Sequence, residues 1–167
     1  MVGITLQKVN VYKNNLWEET TRVPMIIKAP NYKKSHGKEV HHPVSLIDIF
    51  PTIVDFCNID ATNITGENGQ SLSGFSLKPF LEKPKTRKWE GPDVALTVVQ
   101  GKFKSTKREE QSYSVRSKRY RYILYVSGKE ELYDHKKDPY EWDNLEKNKK
   151  YAKVKKQLKK QLMEILK

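Results

Sequence analysis

The chain has 167 residues, 37% of them hydrophobic and 10% aromatic, which suits a globular core and not a disordered chain. No run approaches the ~20 apolar residues of a membrane-spanning helix, and Lys8, Asn10 and Lys13 interrupt the first segment, so no signal-peptide core follows Met1. The single cysteine, Cys57, excludes an internal disulfide framework, whereas a net charge of +12 raises polyanions as partners.

Residues 1–12 show no clear period. Lys13 then precedes a helix-compatible segment over 14–21 that carries Glu18 and Glu19, and Arg22 closes it. Val23-Pro24 disfavours helix before the proline, so Met25-Ile26-Ile27 reads as a short strand over 25–28. That layout brings Lys13 and Arg22 to one end of a sheet, where open α/β folds bind ligands, and a lysine there offers three donors to an anionic oxygen. Residues 31–39 form a polar loop. His36, His41 and His42 invite a metal reading, but adjacent histidines in an extended segment point to opposite faces, which predicts one packed ring and one in solvent.

A second extended run over 40–47 ends at Asp48, a plausible N-cap, and Pro51 suits the first turn of the helix that follows. Ile49, Ile53, Val54 and Cys57 share one stripe of that helix, predicted to pack on the sheet with Cys57 as a small buried hydrophobe. Residues 58–74 are loop and contain the glycosylation sequon Asn63-Ile64-Thr65. After a Pro/Lys/Arg-rich connector over 82–92 the pattern becomes antiparallel β. Strands are predicted over 93–100, 111–117, 119–126 and 131–133, with a basic hairpin loop over 101–110 and a turn at Ser127-Gly128. Tyr151, Val154, Leu158, Leu162, Ile165 and Leu166 recur at helical spacing and predict an amphipathic C-terminal helix with lysines outside. The positive charge collects in that tail and in two loops, a distribution of solvated faces that weighs against specific nucleic-acid binding.

Three motifs resemble the sulfatase family: Lys13 followed by Trp17-Glu18 and Arg22-Val23-Pro24; the run from Val44 to Val54 around Asp48 and Pro51; and Glu131-Leu132-Tyr133-Asp134 with Asp138-Pro139, Glu141 and Asn144-Leu145. Gly74-Phe75-Ser76-Leu77-Lys78-Pro79 matches a further family segment. The resemblance implies the C-terminal part of an alkaline-phosphatase-like sulfatase fold, going from α/β to α+β. Residues 1–82 would be the incomplete end of the large α/β domain, 83–92 a linker, and 93–167 a small four-stranded antiparallel sheet with a C-terminal helix. It also implies that Lys13 contacts the substrate sulfate.

Intact sulfatases use a formylglycine made from Cys in a Cys-x-Pro/Ala-x-Arg motif and a divalent cation, usually calcium. Neither the motif nor a set of metal ligands is present, Cys57 lies in Asp55-Phe56-Cys57-Asn58 with no arginine at the required offset, and the sequence starts just past where the family's metal triplet would stand. The expectation is a sulfatase C-terminal portion that is inactive alone, with no cofactor of its own. Its sulfate ester substrate would be engaged only together with an N-terminal catalytic part, and no membrane partner is expected. The alternative is a non-catalytic basic module for a polyanion such as a sulfated glycan or nucleic acid.

Overall fold

A computed structural model describes residues 14–60 and 73–167. Lys13 and the Asn63 sequon lie outside the described residues. The chain divides into two compact units: residues 14–24 join Leu96–Lys167 in one, and Met25–Ala95 form the other.

The first unit is built on a four-stranded sheet in the order β1 (Val94–Gln100), β2 (Gln111–Ser117), β3 (Tyr120–Leu124) and β4 (Glu130–Asp134). Both β2–β3 and β3–β4 are antiparallel. The predicted strands are all present, and Gly128 turns β3 into β4 at φ +79°, a conformation that favours glycine. The register sorts side chains onto two faces. Val115, Tyr122 and Leu132 align on one, where α4 (Ala152–Ile165) packs with Leu158 and Leu162 buried. Ser114, Ile123 and Glu131 align with Arg116, Arg121 and Tyr133 on the other. That second face is covered by residues 14–24, whose Leu16 is buried against Ile123 and Tyr133 with Trp17, Val99 and Tyr125 around it. The sheet is therefore a middle layer, and successive residues Arg121, Tyr122 and Ile123 are all buried. The alternation in the sequence predicts one apolar face on β3; the other face is also buried because its arginine has partners.

Helix α1 is only Glu18–Thr21, shorter than the predicted 14–21. Asn15 accounts for the difference: its side chain accepts from the Trp17 backbone N–H at 3.1 Å and from the Thr20 hydroxyl, a local bonding pattern that competes with helix.

In the second unit the expected strand over 25–28 is absent; these residues form neither helix nor strand and pair with no strand among the described residues. The 40–47 run likewise forms no strand and ends in a 3₁₀ turn, Leu46–Asp48, preceded by extended Ser45. Helix α2 (Ile49–Cys57) forms as predicted, but its inward face differs. Asp48, Thr52 and Asp55, spaced four and three residues apart, bind residues 75–78, which lead into and begin α3 (Lys78–Glu82). Phe75 N donates to Asp48 Oδ1 at 2.9 Å, Leu77 N to Thr52 Oγ1 at 2.9 Å, and Lys78 Nζ to Asp55 Oδ1 at 2.9 Å. Asp48 also accepts from Ser45 N at 2.7 Å, so its carboxylate caps the 3₁₀ turn and not α2. With the polar row turned inward, only Val54 of the apolar stripe is buried, while Ile49 and Ile53 are exposed. Cys57, expected to be buried, is exposed at the end of α2, which Asn58 at φ 51° closes in the left-handed C-terminal position. Gly74 is required where it stands, since a Cβ would collide with the Ile47 carbonyl.

Candidate functional site

The residues that follow Lys13 are held on the sheet by a network of buried charges. Glu18, at the start of α1, lies 2.8 Å by Oε2 from Arg116 Nε on β2 and 2.5 Å from Arg121 Nη2 on β3. Arg121 is 1% exposed and spends its donors on the motif: Nη1 on the Leu16 carbonyl and Ser114 Oγ, both at 2.8 Å, and Nη2 also on Thr21 Oγ1 at 2.9 Å. Its Nε lies 2.7 Å from Glu141 Oε1, an ion pair without the directionality of a hydrogen bond. Glu141 returns to the motif by accepting the Glu18 backbone N–H at 2.9 Å.

Glu141 is a buried glutamate at φ 60°, a conformation costly for a residue with a side chain. Its carboxylate is buried, and there it also meets His135 Nε2 at 2.8 Å. On the other edge of that ring, Arg116 Nη2 is 3.1 Å from Nδ1. A guanidinium can only donate, so in this arrangement Nδ1 accepts from Arg116 and Nε2 donates to Glu141. Two arginines then balance two glutamates. Burial disfavours the Glu18 carboxylate, but the Arg116 and Arg121 guanidiniums outweigh it and hold Glu18 at about 2. Beside this cluster, Trp17 Nε1 donates to Glu131 Oε2 at 3.0 Å and the Tyr133 hydroxyl to the same oxygen at 2.8 Å. Asp134 is fully buried and takes two hydrogen bonds from Arg119, at 2.7 and 2.6 Å, which lower its pKa.

Glu18, His135 and Glu141 place one ligand atom each within 4.8 Å of one another, the geometry of a possible metal cluster. Chemically they do not fit calcium. That ion needs six to eight oxygens, and here both carboxylates already face guanidiniums that would repel it. Cys57 does not fit the formylglycine precursor either, being an exposed residue at the end of α2 without the motif's arginine. No chemical step is therefore assigned to either group here. The histidines behave as the spacing predicts: His42 packs between Phe80 and Trp89, with centroids at 5.3 and 4.8 Å, while His41 is exposed. Arg22 is exposed, and among the described residues no carboxylate pairs with it.

A family model described as N-sulphoglucosamine sulphohydrolase, C-terminal, matches residues 10–167. The chain belongs to the sulfatases. Among relatives, it is 34% identical over 143 residues to the Delta 4,5-hexuronate-2-O-sulfatase of Bacteroides thetaiotaomicron, covering 84% of this chain and 27% of that protein. It is 30% identical over 145 residues to a sulfatase of Formosa agariphila, covering 87% and 24%, and 26% identical over 145 residues to arylsulfatase K of Homo sapiens, covering 85% and 25%. Among solved structures, a 2-O GAG sulfatase aligns with TM-score 0.58 at 30% identity over 76% of this chain and 26% of that one. The phosphonate monoester hydrolase of Agrobacterium radiobacter aligns with TM-score 0.55 at 25% identity, covering 71% and 24%. The fold is thus the C-terminal portion of the alkaline-phosphatase-like sulfatase architecture, and the chain spans about a quarter of these relatives' length. No helix among the described residues is long and apolar enough to cross a membrane.

The sequence marks only part of this network. Glu18 and Glu141 stand in the sulfatase motifs. Arg116, Arg121 and His135 carry no motif; Arg116 and Arg121 fall in the predicted strands over 111–117 and 119–126, and the Arg116↔Arg121 register is what brings them together.

Proposed function

We propose that this chain is the C-terminal portion of a sulfate-ester hydrolase. In this reading Lys13 contacts the substrate sulfate, the nucleophile and divalent cation belong to a part outside residues 1–167, and the chain alone does not turn over. Residues 1–82 then form the end of a larger α/β domain, 83–92 a linker and 93–167 the small C-terminal subdomain. The role of the described network is positioning: it fixes the backbone from Leu16 to Thr21, immediately after Lys13, through Arg121 and Glu141. Lys13 itself contributes a point charge, not a catalytic proton.

The observation that carries the reading is the exposure of large apolar side chains in the second unit, Ile26 at 91%, Leu46 at 61% and Ile47 at 57%. Large apolar side chains left exposed favour packing against something else; Leu46 and Ile47 lie in the Val44 to Val54 motif, and Ile26 follows Arg22-Val23-Pro24 by two residues. Sulfated glycans are the substrate class the reading favours, since relatives bear the names hexuronate-2-O-sulfatase and 2-O GAG sulfatase.

The test replaces the matching C-terminal quarter of the Bacteroides thetaiotaomicron enzyme with this chain. The chimera should hydrolyse a sulfated unsaturated disaccharide, Lys13→Ala should reduce kcat/KM at least a hundredfold, and the chain alone should not exceed a heat-killed control. A folded, inactive chimera, or turnover by the chain alone that survives Lys13→Ala, would overturn the proposal.

A further inference from the structure

The outward ridge of α4 carries lysines that the rest of the described structure leaves unneutralised. At 100° per residue from Lys153, Lys156 and Lys160 fall at about 300° and 340°, whereas Leu158 and Leu162 fall at about 140° and 180°, on the buried side. All three lysines are exposed. Their neighbours on the flanks are not available in the same way: Lys155 Nζ lies 3.0 Å from Glu130 Oε2 and 2.9 Å from Glu146 Oε1, and Lys159 Nζ lies 2.5 Å from Glu130 Oε1. Those pairs secure α4 to β4 and the loop after it. On the ridge only Lys160 meets an acid, Glu164 at 3.6 Å, in a solvent-exposed pair of small worth. Lys153 and Lys156 have no acidic partner among the described residues.

We propose that this ridge is a docking surface for a sulfated polysaccharide, held alongside α4 by Lys153, Lys156 and Lys160; the choice of polyanion rests on the reading of the chain as part of a sulfatase acting on sulfated glycans. The three charges form a line about 10 Å long, which suits a linear chain of anionic groups better than a single ion. Each ammonium meets a sulfate as a point charge, with no need for the two-pronged geometry that arginine supplies. The ridge contains no aromatic residue on which nucleic-acid bases would stack. It also lacks the broad apolar face that an interfacial membrane helix buries: of the exposed large apolar residues of α4, Met163 falls beside these lysines at about 280° and Ile165 on the far side at about 120°. The partner is bound away from any chemistry, so the ridge would retain polymer and leave turnover of small substrates unchanged.

Heparin binding by the full chain tests this at physiological salt. The variant K153E/K156E/K160E is compared with K83E/K85E/K88E, which changes net charge equally in the connector, and circular dichroism verifies that both are folded. The ridge variant should weaken the apparent Kd at least tenfold and the connector variant less than threefold, while hyaluronan, which has carboxylates and no sulfates, should not bind at the same concentrations. Should the charge reversal unfold α4, the triple glutamine variant gives the same comparison. Equal losses in both variants would show attraction by net charge alone, and tighter binding to single-stranded DNA or to phosphatidylserine vesicles would assign the ridge to another partner; each result overturns the proposal. Because no turnover is measured, its failure leaves the chimera experiment to judge the sulfatase reading separately.

Discussion

Replacing Glu18 by glutamine tests whether the charged network holds the lysine motif to the sheet. Glu18 titrates at about 2 against 4.5 for an unperturbed glutamate. A folded pKa below the unfolded one means stability that is complete above pH 4.5 and lost as pH falls towards 2. The difference of 2.5 units corresponds to about 3 kcal/mol at neutral pH, and about 2 kcal/mol of that disappears between pH 7 and pH 3. The side chain is largely buried, so solvent screening removes little of it. Glu18→Gln keeps the shape and one acceptor but no charge, leaving Arg116 and Arg121 each short of a carboxylate. Hydrogen exchange at the Tyr122 and Ile123 amides of β3, followed at several pH values, reads the effect. Their protection should fall about a hundredfold in the variant at pH 7. The wild-type decline between pH 7 and pH 3 should exceed that of the variant by about thirtyfold. Glu130, also held at about 2 because its burial is outweighed by Lys159, Tyr122 and Lys155, titrates in both proteins and cancels in the comparison. Parallel pH profiles for the two proteins would refute the reasoning.

Arg121→Met should destabilise the first unit by about 3–5 kcal/mol, because Glu18 and Glu141 would stay buried with one cation fewer; a thermal melt within two degrees of wild type would contradict it. Cys57 should react with a thiol reagent in the native chain as fast as after unfolding, within about threefold, since it is exposed at the end of α2; strong protection without denaturant would place it in a core.

How much was legible in the sequence follows from where each element finds its partners. The small sheet and α4 complete one another within the chain, so alternation over β1 to β4 and the spacing of Leu158 and Leu162 located them closely. Residues 25–60 were harder. The run Met25-Ile26-Ile27 has the composition of a buried strand, but a strand needs a neighbour, and none of the described residues supplies one. On α2 the apolar period was real and the inward face was nevertheless Asp48, Thr52 and Asp55, because unpaired backbone N–H groups at Phe75 and Leu77 compete for that side. The network was hidden for a different reason: a charged residue in a strand reads as solvated until its cross-strand and long-range partners are known. Arg121 meets Leu16, Glu18 and Glu141 across separations that no local pattern encodes.

The most direct measurement of the central claim is a sulfate titration of the isotopically labelled full chain, followed by NMR at Lys13. If Lys13 supplies one of several sulfate ligands and the others lie outside residues 1–167, a lone ammonium contributes about 0–1 kcal/mol, and the Lys13 signals should show no saturable shift below millimolar sulfate. Saturable shifts at micromolar sulfate would reveal a complete anion site within this chain and contradict the account.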